Sequence, residues 1–142
     1  MSQAKIVVPI DGSENALRAL EAAISRARVA KRPLHLINVQ LPITSGNVRM
    51  FVSQDMVHRY QTEEAEKALA GARAMVERAG LPFEAATRIG HPCDEISRYA
   101  DPASGDEIIM GSRGMGALGN FLMGSVANKV IQAAKVPVTV VK

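Results

Sequence analysis

The chain has no tryptophan, a single cysteine and an aromatic content of only 4%. Each scarcity excludes something. So few rings cannot build the stacking platform on which single-strand binders lay successive bases. Cys93 has no partner within the chain for a disulfide, which fits a reducing compartment. No apolar stretch approaches the roughly 20 residues needed to cross a bilayer. Met1 to Gly12 shows neither the basic segment, the long apolar run nor the cleavage site of a secretory signal. The expected location is therefore the cytoplasm, without a membrane partner. Charge of one sign is not in large excess either, because 17 Lys and Arg face 14 Asp and Glu for a formal +3. The one basic cluster, Arg26 to Arg32, falls at a predicted helix end, where cations suit the dipole, so no nucleic-acid partner is expected.

What is present describes an ordinary globular protein. Across 142 residues, 47% are hydrophobic and 22% charged, enough for one domain over 1–142 with a core of its own. Lys5 to Ile10 (KIVVPI) is an apolar, β-branched run without alternation, which suits a strand buried on both faces. Asp11-Gly12-Ser13 breaks it, and Ser13 is a good N-cap. Ala16, Leu17, Leu20, Ala23, Ile24 and Ala27 then recur at helical spacing. Leu34 to Val39 reads as the second strand. A connection from Gln40 to Gln54 follows, long enough to suggest a functional flap. The next helix carries Val57, Tyr60, Ala65, Leu69, Ala72 and Val76, and stops at Gly80-Leu81-Pro82. Phe83 to Ile89 is a more polar strand, expected near an edge. A short helix through Ile96 and Tyr99, a loop at 101–105, a strand at 106–110, a helix from about Gly124 to Ala134 and a last strand at 136–141 complete the chain.

Strand and helix alternate throughout, so the expected fold is α/β: a doubly wound three-layer α/β/α sandwich on a five-stranded parallel sheet. Ligands in such sheets bind beyond the carboxyl ends of the strands, where strand order reverses. That rule singles out the loops after Pro9, Val39, Ile89 and Met110. The last is glycine-rich, running from Gly111 to Ser125. Glycines let backbone approach a ligand closely, and successive free N–H groups form an anion-binding concavity. Gly124-Ser125 sits where the final helix begins, so its N–H groups and dipole add a second phosphate contact.

Two familiar phosphate motifs fail here. Gly114, Gly116 and Gly119 spell G-x-G-x-x-G, but no Asp or Glu occurs after Glu107 to meet a ribose at the end of the next strand. Gly119 and Gly124 have P-loop spacing, yet Ser125 and Val126 stand where Lys and Ser or Thr are required. A metal site is not expected from His91 and Cys93, because neither His35 in a strand nor His58 on a helix completes one.

The spacing Gly111-x2-Gly114-x9-Gly124-Ser125, with Val8-Pro9-Ile10-Asp11-Gly12-Ser13 and Val136 to Val141, resembles the universal stress protein family and its ATP-binding pattern along essentially the whole chain. The resemblance implies the adenine nucleotide alpha hydrolase-like fold and a bound ATP, with ADP or AMP as alternatives and Mg²⁺ arriving through the phosphates. By that likeness Asp11 accepts from ribose hydroxyls and Pro9 packs near the sugar or base. Val39 reads adenine through its backbone. Gly111, Ser112, Arg113 and Gly114 line the ribose and phosphate path, while Gly124, Ser125 and Val126 cradle the phosphates. Each has a plainer reading: Asp11 as a helix cap beside Ser13, Val39 as core, Gly111 as a turn, Arg113 as a solvated charge. The family likeness also implies a homodimer through the last strand, Val136 to Val141, whose apolar edge invites pairing. No general base is evident, so ATPase activity is expected to be weak or absent. A stress-response regulator is the first reading. A dimeric interaction module without nucleotide is the alternative, and an adenylating ligase is disfavoured because Pro9-Ile10-Asp11-Gly12-Ser13 replaces the SGGxDS-like loop of that class.

Overall fold

The computed structural model describes residues 3–43, 53–113 and 123–142. The first strand is β1, Ile6–Pro9, and Ile6, Val7 and Val8 have no solvent exposure at all. Pro9 removes a donor and helps end the strand. The Asp11 carboxylate then accepts the Ser13 N–H at 2.9 Å, with Gly12 at φ 89° making the turn. The Ser13 hydroxyl caps α1, Glu14–Ala30, by accepting from the Ala16 N–H at 3.1 Å. The helix ends with Lys31 in the left-handed region at φ 57°.

Next come β2, Leu34–Gln40, and α2, Gln54–Ala79, which is capped by Ser53 and closed by Gly80 at φ 70°. β3 is Phe83–Ile89 and α3 is Pro92–Tyr99, with proline at its first helical position, where its missing N–H costs nothing. A single 3₁₀ turn over Pro102–Ser104 replaces the plain loop expected there. β4 is Glu107–Gly111, α4 is Ser125–Ala133 and β5 is Val138–Val141. Strand ends differ from the sequence reading by one or two residues. Within the expected flap, residues 44–52 lie outside the described residues.

All four strand pairings are parallel, and the order across the sheet is β3-β2-β1-β4-β5. The chain first winds outward through β2 to β3, then returns to the other side of β1. Order therefore reverses at β1 and β4. The expected five-stranded doubly wound sandwich is the fold observed. One face buries Ile6, Val8, Leu34, Leu36 and Ile109 against Leu20 of α1 and Leu69 of α2. The other buries Val7, Ile37, Ile108 and Met110 against Ile96 of α3 and Val130 of α4. Each fully buried Leu or Ile contributes about 1.5–3 kcal/mol relative to exposure.

Ionic contacts pin the amino end of the sheet. Asp106, 1% exposed, accepts from the Lys5 ammonium at 2.5 Å, the Lys5 N–H at 3.0 Å and the Asp101 N–H at 2.7 Å. Burial by itself would raise its pKa, but those donors outweigh it and hold the carboxyl below its usual value. Two members of the basic cluster, Arg26 and Arg32, converge on Glu107 at 3.0 and 2.7 Å. Their partner is thus the start of β4 rather than solvent.

His35 of β2 sits between α3 and β3. Its Nδ1 takes the Tyr99 hydroxyl at 2.8 Å, and Nε2 lies 3.5 Å from a Glu84 carboxylate oxygen. Burial chiefly lowers its pKa; Lys5 adds to the lowering, while Glu84 and Asp106 oppose it. A lowered native value means that the unfolded chain takes up the proton first. The stability due to this group is complete above the ordinary value of 6.5 and is lost as pH falls through the lower native value. His35→Gln is expected to flatten the decline in urea midpoint seen below that pH, leaving the more acidic decline due to Asp106 in place. An unchanged slope would assign the first decline to other groups.

Candidate functional site

At the carboxyl ends of β1 and β4, where strand order reverses, the structure has a cavity of about 320 Å³. That is near the lower end of the range for small-molecule sites. Three kinds of surface meet in it. β1 and its exit contribute Pro9 and Asp11, and Val39 lies beside them at the end of β2. Gly111 and Arg113 enter from the end of β4, and Gly124, Ser125 and Val126 from the start of α4. Those eight residues, drawn from separate stretches of chain, are brought to one hollow. Ser112 is not among its lining residues: it is 2% exposed, and its N–H donates to the Val141 carbonyl at 2.8 Å. Gly114, together with Gly116 and Gly119, lies outside the described residues.

The start of α4 differs from those of α1 and α2. Serine hydroxyls cap α1 and α2, whereas His91 at the N-cap of α3 and Gly124 at the N-cap of α4 make no side-chain bond. The Gly124 N–H itself is engaged, donating to the Ser112 carbonyl at 2.6 Å, and the first internal bond runs from the Asn128 N–H to the Gly124 carbonyl at 3.1 Å. Among the described residues, nothing accepts from the N–H groups of Ser125, Val126 and Ala127. Those donors open on the cavity, and the helix dipole adds partial positive charge behind them. An anion is the chemical complement.

The far wall is apolar. Ile37, Ile96 and Met110 line it together with Pro92 of α3. Sequence reasoning singled out the loop that ends at Pro92, but it placed Ile37, Ile96 and Met110 only in their strands and helix and gave them no part in the site. It also missed two buried asparagines. Asn38 donates to the Ile10 carbonyl at 2.9 Å and accepts from the Gln40 side chain at 2.8 Å, bracing the exit of β1. Asn15, 6% exposed, accepts the Arg113 N–H at 2.7 Å and donates to the Val141 carbonyl at 3.0 Å. A polar amide inside an otherwise apolar strand, as in LHLINV, was the available signal for Asn38. Asn15 gave none, because it looks like a surface residue of a first helical turn.

Asp11 serves both readings offered for it. One oxygen holds the turn to Ser13, and the residue also lines the cavity. A wider hollow of about 480 Å³ lies between α2 and the ends of β2 and β3, lined by Pro42, Val57, His58, Gln61 and Ile89 among others. The helix start beside it has its Met56 N–H taken by the Ser53 hydroxyl, unlike the start of α4.

Fold and cavity together define a doubly wound α/β protein with an anion-complementary hollow at its topological switch point. The chain belongs to the universal stress protein family, whose pattern matches residues 4–142. It is 34% identical over 138 residues to universal stress protein MJ0531 of Methanocaldococcus jannaschii, covering 97% of this chain and 81% of that one. The solved structure of MJ0577 from the same organism superposes with a TM-score of 0.83 at 30% identity, over 100% of this chain and 97% of that one. A universal stress protein of Archaeoglobus fulgidus, solved in complex with dAMP, superposes with a TM-score of 0.69 at 25% identity, over 99% and 98% of the two chains.

Gly111 shows how tightly the site is built. A Cβ there would lie 2.5 Å from the Asn15 Oδ1 and 3.1 Å from the Asn15 carbonyl oxygen, which is fixed helix backbone. Gly111→Ala is therefore expected to lower stability by about 1–3 kcal/mol through overpacking, read from urea unfolding. A cost near zero would mean that Asn15 moves aside without consequence.

Proposed function

We propose that this chain binds an adenine nucleotide in the switch-point cavity and acts as a cytoplasmic, nucleotide-dependent regulator in the stress response. The observation that carries the reading is the uncapped start of α4. Its open N–H groups share one hollow with the Asp11 carboxylate and with the apolar slot of Ile37, Val39 and Ile96. Phosphate suits the first, ribose hydroxyls the second and a flat base the third. The dAMP bound by the Archaeoglobus relative supports the ligand class.

In this reading ATP is the ligand, with Pro9 and the Val39 backbone beside the base. Asp11 accepts from the ribose, and Gly111, Ser112, Arg113 and Gly114 follow the sugar and phosphates. Gly124, Ser125 and Val126 hold the phosphates. Mg²⁺ would be carried in by the phosphates, with the Ser125 hydroxyl beside them. Ser112 contributes through its backbone bonds rather than its side chain. No residue is assigned to hydrolysis, and the bound state is the signal.

Calorimetric titration of nucleotide-stripped protein with ATP and Mg²⁺ tests the site, alongside a Gly124→Glu variant shown to fold. Binding by the parent and loss of at least tenfold affinity in the variant are expected, because a carboxylate would stand beside the donors meant for phosphate. A folded parent that binds no nucleotide would leave the ligand-free interaction module as the better account.

The dimer belongs to the same proposal. β5 is an edge strand, its four residues only half covered, and its outer side has no partner strand within the described chain. Edges of this kind pair readily. Light scattering at micromolar concentration should return twice the chain mass. The mass of one chain would remove the dimer without touching the nucleotide site.

A further inference from the structure

We propose that Asn15 is the positioning residue of the phosphate side of this site, tying the exit of β4 and the start of α4 to the end of β5. The phosphate part rests on the nucleotide reading above; the tie itself does not. Asn15 is the second residue of α1, where most helices present a side chain to solvent, yet it is 6% exposed. Burying an amide is costly unless its polar atoms are met. Here both ends are met by backbone from elsewhere in the chain.

The amide can be oriented on chemical grounds. The Arg113 N–H is a donor and needs the side-chain oxygen; the Val141 carbonyl is an acceptor and needs the NH₂. Turning the group over would oppose two donors at one end and two acceptors at the other. Gly111 closes the space behind, leaving no room for a larger neighbour against the oxygen.

The bonds continue beyond Asn15. The Val141 carbonyl also receives the Ser112 N–H at 2.8 Å, and the Ser112 carbonyl receives the Gly124 N–H at 2.6 Å. A chain of bonds thus runs from α1 through the last strand to the β4 exit and on to the N-cap of α4. Among the described residues Asn15 supplies the side chain in it, and the other members are backbone. This chain fixes where the Arg113 backbone leaves the sheet and where the open N–H groups of Ser125 to Ala127 stand. Asn15 itself is not among the residues lining the cavity, so it acts through the others.

The base and the Asp11 side of the ribose would meet Pro9, Asp11, Val39 and the apolar wall, whereas the phosphates rely on the Arg113 exit and the start of α4 that the Asn15 bonds hold. Removing its amide should therefore weaken binding far more for ligands that carry phosphate than for the nucleoside. Asn15→Leu keeps the branched four-atom side-chain skeleton and loses both bonds. Asn15→Asp keeps the acceptor for the Arg113 N–H but sets an oxygen against the Val141 carbonyl. Val76→Ala, in the α2 core away from the cavity, is a control for general loss of stability.

Two readouts decide the matter. Amide hydrogen exchange without nucleotide is expected to speed up at least tenfold at Ser112, Arg113 and Gly124 in Asn15→Leu relative to Val76→Ala. In Asn15→Asp, Arg113 should stay protected while Ser112 speeds up. Titrations with ATP and with adenosine should show about a tenfold loss for ATP in Asn15→Leu and less than a twofold change for adenosine. Exchange indistinguishable from the control overturns the tie, and equal losses for ATP and adenosine overturn the selective role. A parent that binds neither ligand removes the nucleotide reading, and the exchange data then decide the tie alone. Should Asn15→Leu fail to fold, Asn15→Asp decides it: fast exchange at Arg113, or slow exchange at Ser112, overturns the proposal.

Discussion

A strand with no exposed residue on either face or either edge needs neighbours in every direction, and β1 is such a strand. Ile6, Val7 and Val8 are wholly buried, with β2 bonded on one side and β4 on the other. Helices must then cover both faces, so α1 and α2 pack on one and α3 and α4 on the other. Because the chain can leave β1 toward only one neighbour at a time, it must come back for the second. That return creates the reversal of strand order, and the crevice at the reversal is where the cavity lies. The location of the site is thus a consequence of burying the first strand on both faces and both edges.

The cavity's chemistry is divided in the same way. Its apolar wall is an extension of the α3–α4 core, continued past the strand ends by Ile37, Ile96 and Met110. Its donors come from a helix start left without a side-chain cap, an arrangement that costs stability in the free protein because the N–H groups lack protein partners. α1 and α2 are capped by serine, while α3 and α4 begin without a side-chain cap. What sets the α4 start apart is its place: Ser125, Val126 and Ala127 line the cavity beside the apolar slot, which is the arrangement the proposed nucleotide would use.

The end of β5 takes part in both halves of the proposal, the dimer and the site. Its outer side has no partner strand among the described residues, and its last carbonyl holds both Ser112 and Asn15. Pairing at that edge would act on the same strand that sets the β4 exit. Oligomer and site would share one mechanical element, with backbone hydrogen bonds rather than a flexible linker between them.

The sequence by itself determined the element order, the parallel sheet and the four loops worth inspecting, because hydrophobic period, caps and glycines are local properties. Ser13 and Gly80 announced helix ends that the structure has. The residues from Gly111 to Val126 were legible as candidates through spacing and family likeness. Tertiary structure decided the rest. It turned Ser112 inward and used the Gly124 N–H within the protein. It recruited Ile37, Ile96 and Met110 as a cavity wall and buried Asn15 and Asn38 as braces. These outcomes depend on which backbone groups from distant parts of the chain meet, as Asn15 meets Arg113 and Val141 across 98 and 126 residues. No local pattern encodes such a meeting. It exists only once the sheet order has brought α1, β4 and β5 to one place.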